Sequence, residues 1–238
     1  MRCLLVRCGD PDPAVEETHG CYARWFREAL DPTVSLTVVD ARREGPTARH
    51  LEGVGAVLVS GSPESVYDPL PWVPAWAGFV REVVCARGVA FLGVCFGHQL
   101  LAHALGGEVT RNPLGREMGT VSLELTERGR GSALFRGITG VPRVQVTHRD
   151  TVLRPPPGAE LLAVSAGDRC QAFRVGTAYG VQFHPEVTAA VLRSYVESRR
   201  AVLRAEGLDP DAVSASIETA SDGPRVLGNF VREAFGRG

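Results

Sequence analysis

Apolar positions in the first half of the chain fall into two alternating kinds of run. CLLVRC (3–8), TVSLTVVD (33–40), GAVLVSG (55–61) and GVAFLGVC (88–95) are short and mostly apolar, the pattern of strands buried on both faces. CYARWFREAL (21–30) and AWAGFVREVVCARG (75–88) carry apolar residues at helical spacing, and Gly88 supplies a stop. Buried strands with helices between them predict an α/β fold: an open, mostly parallel sheet with helices on both faces.

The pattern changes in the second half. MGTVSLELT (118–126), PRVQVTHRD (142–150), AELLAVSAG (159–167), RCQAFRVG (169–176) and TAYGVQFHPE (177–186) read as short strands separated by Gly and Pro, with Gly176-Thr177 as a hairpin turn. They predict an antiparallel extension of the parallel core. TAAVLRSYVESRRAVLRAEG (188–207) reads as one helix, capped by Thr188 and ended by Gly207, and SDGPRVLGNFVREAF (221–235) as the last. No repeat, low-complexity tract or linker divides the chain. One domain over 1–238 is expected, with a core over about 1–190 and a helical extension over about 188–238 that packs on the sheet.

Composition narrows the function. Apolar residues make up 44% of the chain, enough for an enzyme-sized core. No apolar run reaches 18 residues, so no membrane span is expected. MRCLLVRCGD is too short in its apolar part for a signal peptide, so a cytosolic protein is expected. The net charge of −1 comes without a basic stripe, which argues against a nucleic-acid partner. Arg149, Arg154, Arg199, Arg200 and Arg204 read as solvated. All 26 basic residues are arginine, which excludes Schiff-base chemistry and lysine-based phosphate cradles in this chain. The six cysteines form no C-x-x-C pair and no zinc spacing, so no metal or cofactor is expected. Cys3, Cys8, Cys21, Cys85 and Cys170 read as reduced, small apolar residues.

Cys95 is different. In GVCFG (93–97) it ends a strand and begins a helix, the arrangement of a G-x-nucleophile-x-G elbow. Gly93 and Gly97 would let strand and helix approach closely while the cysteine takes a strained backbone conformation and projects outward. The free N–H groups at the helix start would favour the thiolate, and the N–H of Phe96 could face a developing oxyanion. A thiol nucleophile needs a base, and the base an orienter. QFHPE (182–186) supplies both: on a strand, His184 and Glu186 would share a face, and Pro185 would mark the strand end. Opposite Phe96, the loop Ser60-Gly61-Ser62-Pro63 follows a buried strand, so the N–H of Gly61 or Ser62 would face the ligand crevice. His98 reads as packed or capping and His103 as helix packing. His148 ends a strand where it could border a pocket.

Taken together, these stretches resemble the class I, triad-type glutamine amidotransferase family over roughly residues 1–190. The family's G-x-C-x-G-H-Q elbow corresponds to Gly93–Gln99, its late H-P-E to His184-Pro185-Glu186, and its S-G-G-P loop to Ser60-Gly61-Ser62-Pro63. The resemblance implies a flavodoxin-like three-layer fold, with Cys95 as nucleophile, His184 as general base and acid, and Glu186 as orienter. It implies an oxyanion hole from the N–H groups of Ser62 and Phe96. Gly61, Gln99, Thr147 and His148 would border the substrate, the last two mainly through backbone groups. Ser62 stands where the family has a second glycine, and its Cβ would restrict the peptide flip that forms the hole. GSPESVYDPLPWVP (61–74) resembles both stand-alone members similar to the amidotransferase part of GMP synthase and γ-glutamyl peptidases of the same fold. No segment resembles the ATP-dependent synthetase domain. Three readings stay open: a glutaminase that hands ammonia to a separate synthetase subunit, a γ-glutamyl peptidase that needs no partner, and a non-catalytic binding protein.

Overall fold

A computed structural model of the protein describes residues 1–220 and 222–236. Its strands are β1 (Arg2–Arg7), β2 (Ser35–Asp40), β3 (Ala56–Val59), β4 (Ala90–Val94), β5 (Glu108–Arg111), β6 (Glu117–Ser122), β7 (Glu124–Leu125), β8 (Arg143–His148), β9 (Asp150–Arg154), β10 (Glu160–Val164), β11 (Ala172–Val175) and β12 (Ala178–Val181). Its α-helices are α1 (Pro13–His19), α2 (Tyr22–Ala29), α3 (Val73–Arg81), α4 (Phe96–Ala104), α5 (Glu127–Arg130), α6 (Ala189–Ser198), α7 (Arg200–Ala205), α8 (Pro210–Ser216) and α9 (Asp222–Phe235).

Among the described residues the main sheet has eight strands in the order β2-β1-β3-β4-β12-β11-β10-β7. The first five run parallel, and β11, β10 and β7 add antiparallel. This is the predicted parallel core with its antiparallel extension. Side-chain alternation builds both faces. Leu5, Leu58 and Leu92 pack with Phe26 of α2 and with Leu227 and Phe230 of α9. Leu4, Val6, Val57, Val59 and Phe91 pack on the other face with Trp76 and Val80 of α3 and Leu100 and Leu101 of α4. The strands therefore lack a polar face because neither face meets water.

The sheet order also positions the site. β4 lies between β3 and β12, all three parallel. The segments that follow them carry Ser60–Pro63, Cys95 and His184–Glu186, so stretches far apart in sequence emerge side by side at one sheet edge. In a parallel sheet that edge forms the ligand crevice.

Several elements differ from the sequence reading. The run 118–126 is two strands: β6 pairs with β8 in a separate two-stranded sheet, while β7 joins the main one. The predicted strand 177–186 stops at Val181, so His184 lies beyond it. The helix expected over 188–207 keeps its Thr188 cap and ends before Gly207, at φ +80°, but breaks at Arg199 into α6 and α7. In the extension, α9 packs on the sheet. Val191 and Tyr195 of α6 and Leu203 of α7 instead form a cluster with Val15 of α1 and Trp25 of α2. Residues 237–238, and position 221 at the start of the last predicted helix, lie outside the described residues. Cys3, Cys8 and Cys170 are buried as expected, but Cys85 is exposed and Cys21 half-buried. His103 is exposed rather than packed.

Two glycines give a contrast in stability. A Cβ at Gly93 would lie 2.2 Å from the Gly97 carbonyl oxygen, whereas one at Gly78, inside α3, would meet nothing closer than 3.9 Å. Gly93→Ala is expected to destabilise by about 3 kcal/mol or to prevent folding. Gly78→Ala should stabilise by about 0.5–1 kcal/mol. Denaturant unfolding of the two variants checks both signs.

Candidate active site

Cys95 is the non-glycine residue with positive φ among the described residues, at φ 51° and ψ −102°. Such a conformation costs of order 1–3 kcal/mol and persists only where the surroundings impose it. Here the backbone on both sides is pinned: Cys95 N–H donates to the Val181 carbonyl (2.8 Å) and Gly97 N–H to the Ser60 carbonyl (3.2 Å). The glycines let the chains cross. A Cβ at Gly97 would sit 2.4 Å from the Val59 carbonyl oxygen, as impossible a contact as that at Gly93. The turn therefore holds Cys95 between the end of β4 and α4, which begins at the next residue.

His184 and Glu186 meet, but not by strand alternation. The chain has left β12 and turns through Pro185, with Val187 N–H reaching back to the His184 carbonyl at 3.4 Å. This turn places Glu186 Oε1 2.8 Å from His184 Nδ1. His184 is anchored by its own N–H, which donates to the Gln145 carbonyl (2.8 Å). Gly61 makes room for the ring: a Cβ there would lie 3.0 Å from His184 Cε1 and 3.7 Å from Cys95 Cβ. Imidazole and thiol thus flank one glycine. Beyond its interaction with Cys95, His184 Nε2 has no hydrogen-bond partner among the described residues. Burial opposes a charged imidazole, but the Glu186 charge and then Cys95 outweigh it and push His184 up to about 10. The arrangement is a carboxylate, an imidazolium and a sulfur in sequence.

These groups open into a cavity of about 360 Å³ lined by Cys95, His184, Ser62, Gln99, Thr147 and His148. Glu186 lies behind the imidazole and Gly61 beneath it, neither on the cavity wall. Ser62 Oγ accepts from Glu64 N–H (3.2 Å). Phe96 opens α4, so its N–H has no acceptor within the helix. Gln99 Nε2 donates to the Asp150 carbonyl (3.2 Å) and to Gln182 Oε1 (3.0 Å). The His148 ring is engaged elsewhere: Nδ1 lies 3.0 Å from the Asp150 carbonyl and Nε2 3.0 Å from Glu117 Oε2. His98 is fully buried against Phe173, ring centres 4.9 Å apart, and burial pushes it down to about 3. It is packed, as read, and cannot serve as a base to the thiol.

One wall was missed. Arg199, read as solvated, has a side chain only 20% exposed and lines the cavity with Asp12, Tyr22 and Tyr195. Its Nε and Nη2 donate to the two Asp12 oxygens (2.9 Å each) and its Nη1 to Thr147 Oγ1 (3.1 Å), with the guanidinium 4.4 Å above the Tyr195 ring. The unbroken helical pattern through 188–207 hid the break at Arg199, whose side chain lines the cavity.

The family model for glutamine amidotransferase class-I matches residues 22–200. The chain is 40% identical over 168 residues to the GMP synthase [glutamine-hydrolyzing] of Pyrobaculum aerophilum, covering 71% of this chain and 31% of that protein. The Aeropyrum pernix protein of the same name is 38% identical, with 69% and 30% covered. The chain thus spans about a third of the length of these curated relatives. A crystal structure of a glutamine amidotransferase from Thermotoga maritima superposes with a TM-score of 0.77 at 24% identity, covering 98% of this chain and 97% of that one. This likeness concerns the fold.

The raised His184 makes stability depend on pH with a definite sign. The folded protein holds a proton that an unfolded histidine loses near 6.5, so the contribution is full below about 6.5 and is lost as pH rises toward 10. The stability difference between wild type and His184→Gln should shrink across that interval, by at most about 1.4 kcal/mol per pH unit. Denaturant unfolding at several pH values checks it; a flat difference contradicts the charged imidazole.

Proposed function

Because this chain belongs to the class I glutamine amidotransferase family, we propose that it hydrolyses the side-chain amide of glutamine through a γ-glutamyl thioester on Cys95. The observation that carries the reading is the positive-φ cysteine with the His184–Glu186 pair beside it. The Cys95 thiolate attacks the γ-carbonyl carbon, and the N–H groups of Phe96 and Ser62 receive the oxyanion. Each such donor is worth roughly 10²–10³ in rate in comparable sites. His184, charged before attack, gives its Nε2 proton to the departing nitrogen as the C–N bond breaks. The neutral imidazole then takes a proton from water, which attacks the thioester, breaks the C–S bond and frees glutamate. Glu186 fixes the ring through Nδ1 and stabilises its charge. No step needs a metal or cofactor.

The reading takes a separate synthetase subunit as ammonia acceptor, and the name of the relatives, GMP synthase [glutamine-hydrolyzing], supports a synthetase in that role. The same reading takes residues 1–238 as one glutamine amidotransferase domain working in the cytoplasm. Free thiols suit that compartment, and no helix among the described residues is long and apolar enough to cross a membrane. A partner-independent γ-glutamyl peptidase is the second reading. The cavity continues along Tyr22, Trp25 and Tyr195, space that an amine larger than ammonia would use.

Cys95→Ala should lower kcat for ammonia release at least about 10⁴-fold while the thermal transition stays in place. Glu186→Gln should lower it roughly 10²–10⁴-fold. A coupled ammonia assay on glutamine, run beside γ-glutamyl dipeptides, checks both and separates the two readings; undiminished hydrolysis by the Ala variant contradicts the mechanism.

A further inference from the structure

Behind the cavity wall lies a polar cluster that the proposed reaction does not use. Glu117, on β6, is buried, and its carboxylate receives four donors. Oε1 accepts from Ser165 Oγ (2.6 Å) and Gly167 N–H (3.2 Å); Oε2 accepts from Gln171 Nε2 (2.5 Å) and faces His148 Nε2 (3.0 Å). Burial raises its pKa, but the hydrogen bond and charge from His148, with those from Ser165 and Gly167, hold it below the usual carboxyl value. The group is ionised and its acceptor capacity is filled, so it has no proton to give.

This fixes the hydrogens on His148. The Nε2 partner is an ionised carboxylate and the Nδ1 partner is the Asp150 carbonyl; both can only accept. Two acceptors on two ring nitrogens require hydrogen on both. The surroundings suit a cation. Asp168 Oδ2, fully buried, lies 3.7 Å from Nδ1. His98, on α4, is held neutral, mainly by burial and in part by the charge of His148.

The same logic orients Gln99. Because the Asp150 carbonyl only accepts, the Gln99 amide must turn its nitrogen toward it. Its other N–H goes to Gln182 Oε1, which leaves Gln99 Oε1 as the polar atom available to a donor in the cavity. His148 and Gln99 therefore hold the same carbonyl from two elements. The Asp150 side chain is fixed too, by Ser65 Oγ and by Tyr67 OH (2.9 Å).

We propose that His148 is a buried imidazolium and a positioning residue: held by Glu117, it pins the Asp150 carbonyl and through it sets the Gln99 amide and the Thr147–Arg149 backbone on the substrate side of the thiol. It touches no reacting atom. Its effect falls on substrate binding more than on the chemical step. The kinetic part of the test rests on the proposed glutamine hydrolysis; the spectroscopic part does not.

The test uses the full chain. A nitrogen-15 spectrum of the histidine side chains, assigned with His148→Asn, reads the hydrogens on the ring directly. Expected is hydrogen on both nitrogens of His148 in the wild type, and a neutral ring in Glu117→Gln. Kinetically, Glu117→Gln should raise KM for glutamine roughly tenfold, the worth of one charged hydrogen bond, with a smaller fall in kcat. Glu117→Asp, which keeps the charge, should recover part of that loss. A wild-type His148 with one bare nitrogen overturns the proposal, as does a folded Glu117→Gln whose KM is unchanged or whose loss is confined to kcat. If the wild type hydrolyses no glutamine, the functional reading fails instead, and the wild-type spectrum alone decides whether His148 is charged.

Discussion

Everything at the candidate site depends on two stretches of backbone passing closer than any side chain allows. Gly93 on β4 and Gly97 on α4 leave no room for a Cβ against each other or against β3. That contact forces the chain to reverse within one residue, and Cys95 absorbs the reversal in a backbone conformation its type seldom adopts. The buried strands on either side supply the rigidity. A strained residue at the tip of a loose loop would relax; between β3 and β12 it cannot.

The second constraint is charge in a dry place. His184 and Glu186 are both nearly inaccessible to water, so each needs the other or the sulfur as partner. The cluster behind the wall repeats the arrangement with Glu117 and His148. Two buried imidazole–carboxylate pairs thus stand on adjoining sides of one cavity. One reaches the thiol and the other reaches a backbone carbonyl. The difference lies in what each second nitrogen faces: a sulfur that can share its proton, or an oxygen that can only accept it.

The parallel core was legible in the sequence because its strands have one-sided chemistry: unbroken apolar runs belong in a sheet covered twice. The elbow was legible because glycine spacing reports a close approach directly. His184 and Glu186 were paired correctly for the wrong reason, since two residues apart also suffices in a turn through proline. The break at Arg199 was not legible. Local helical spacing continues across it, and the residue at the break is partnered by Asp12, 187 residues away. The role of the His148 ring was hidden likewise: Glu117 and Asp168 come from other segments, and nothing in THRD announces them. Short-range patterns report what a residue's neighbours require, whereas these side chains answer to partners the pattern does not contain.

The Arg199–Asp12 clasp has a consequence for the order of events during synthesis. β1, β3, β4 and the elbow that follows β4 precede the far wall of the cavity along the chain, and that wall is complete only when Arg199, next after α6, can reach back to Asp12. Until then the cysteine sits in an open notch, with no imidazole in place before residue 184 and no roof before residue 199. On a ribosome-bound chain the pocket around Cys95 therefore closes only after residue 199 has emerged.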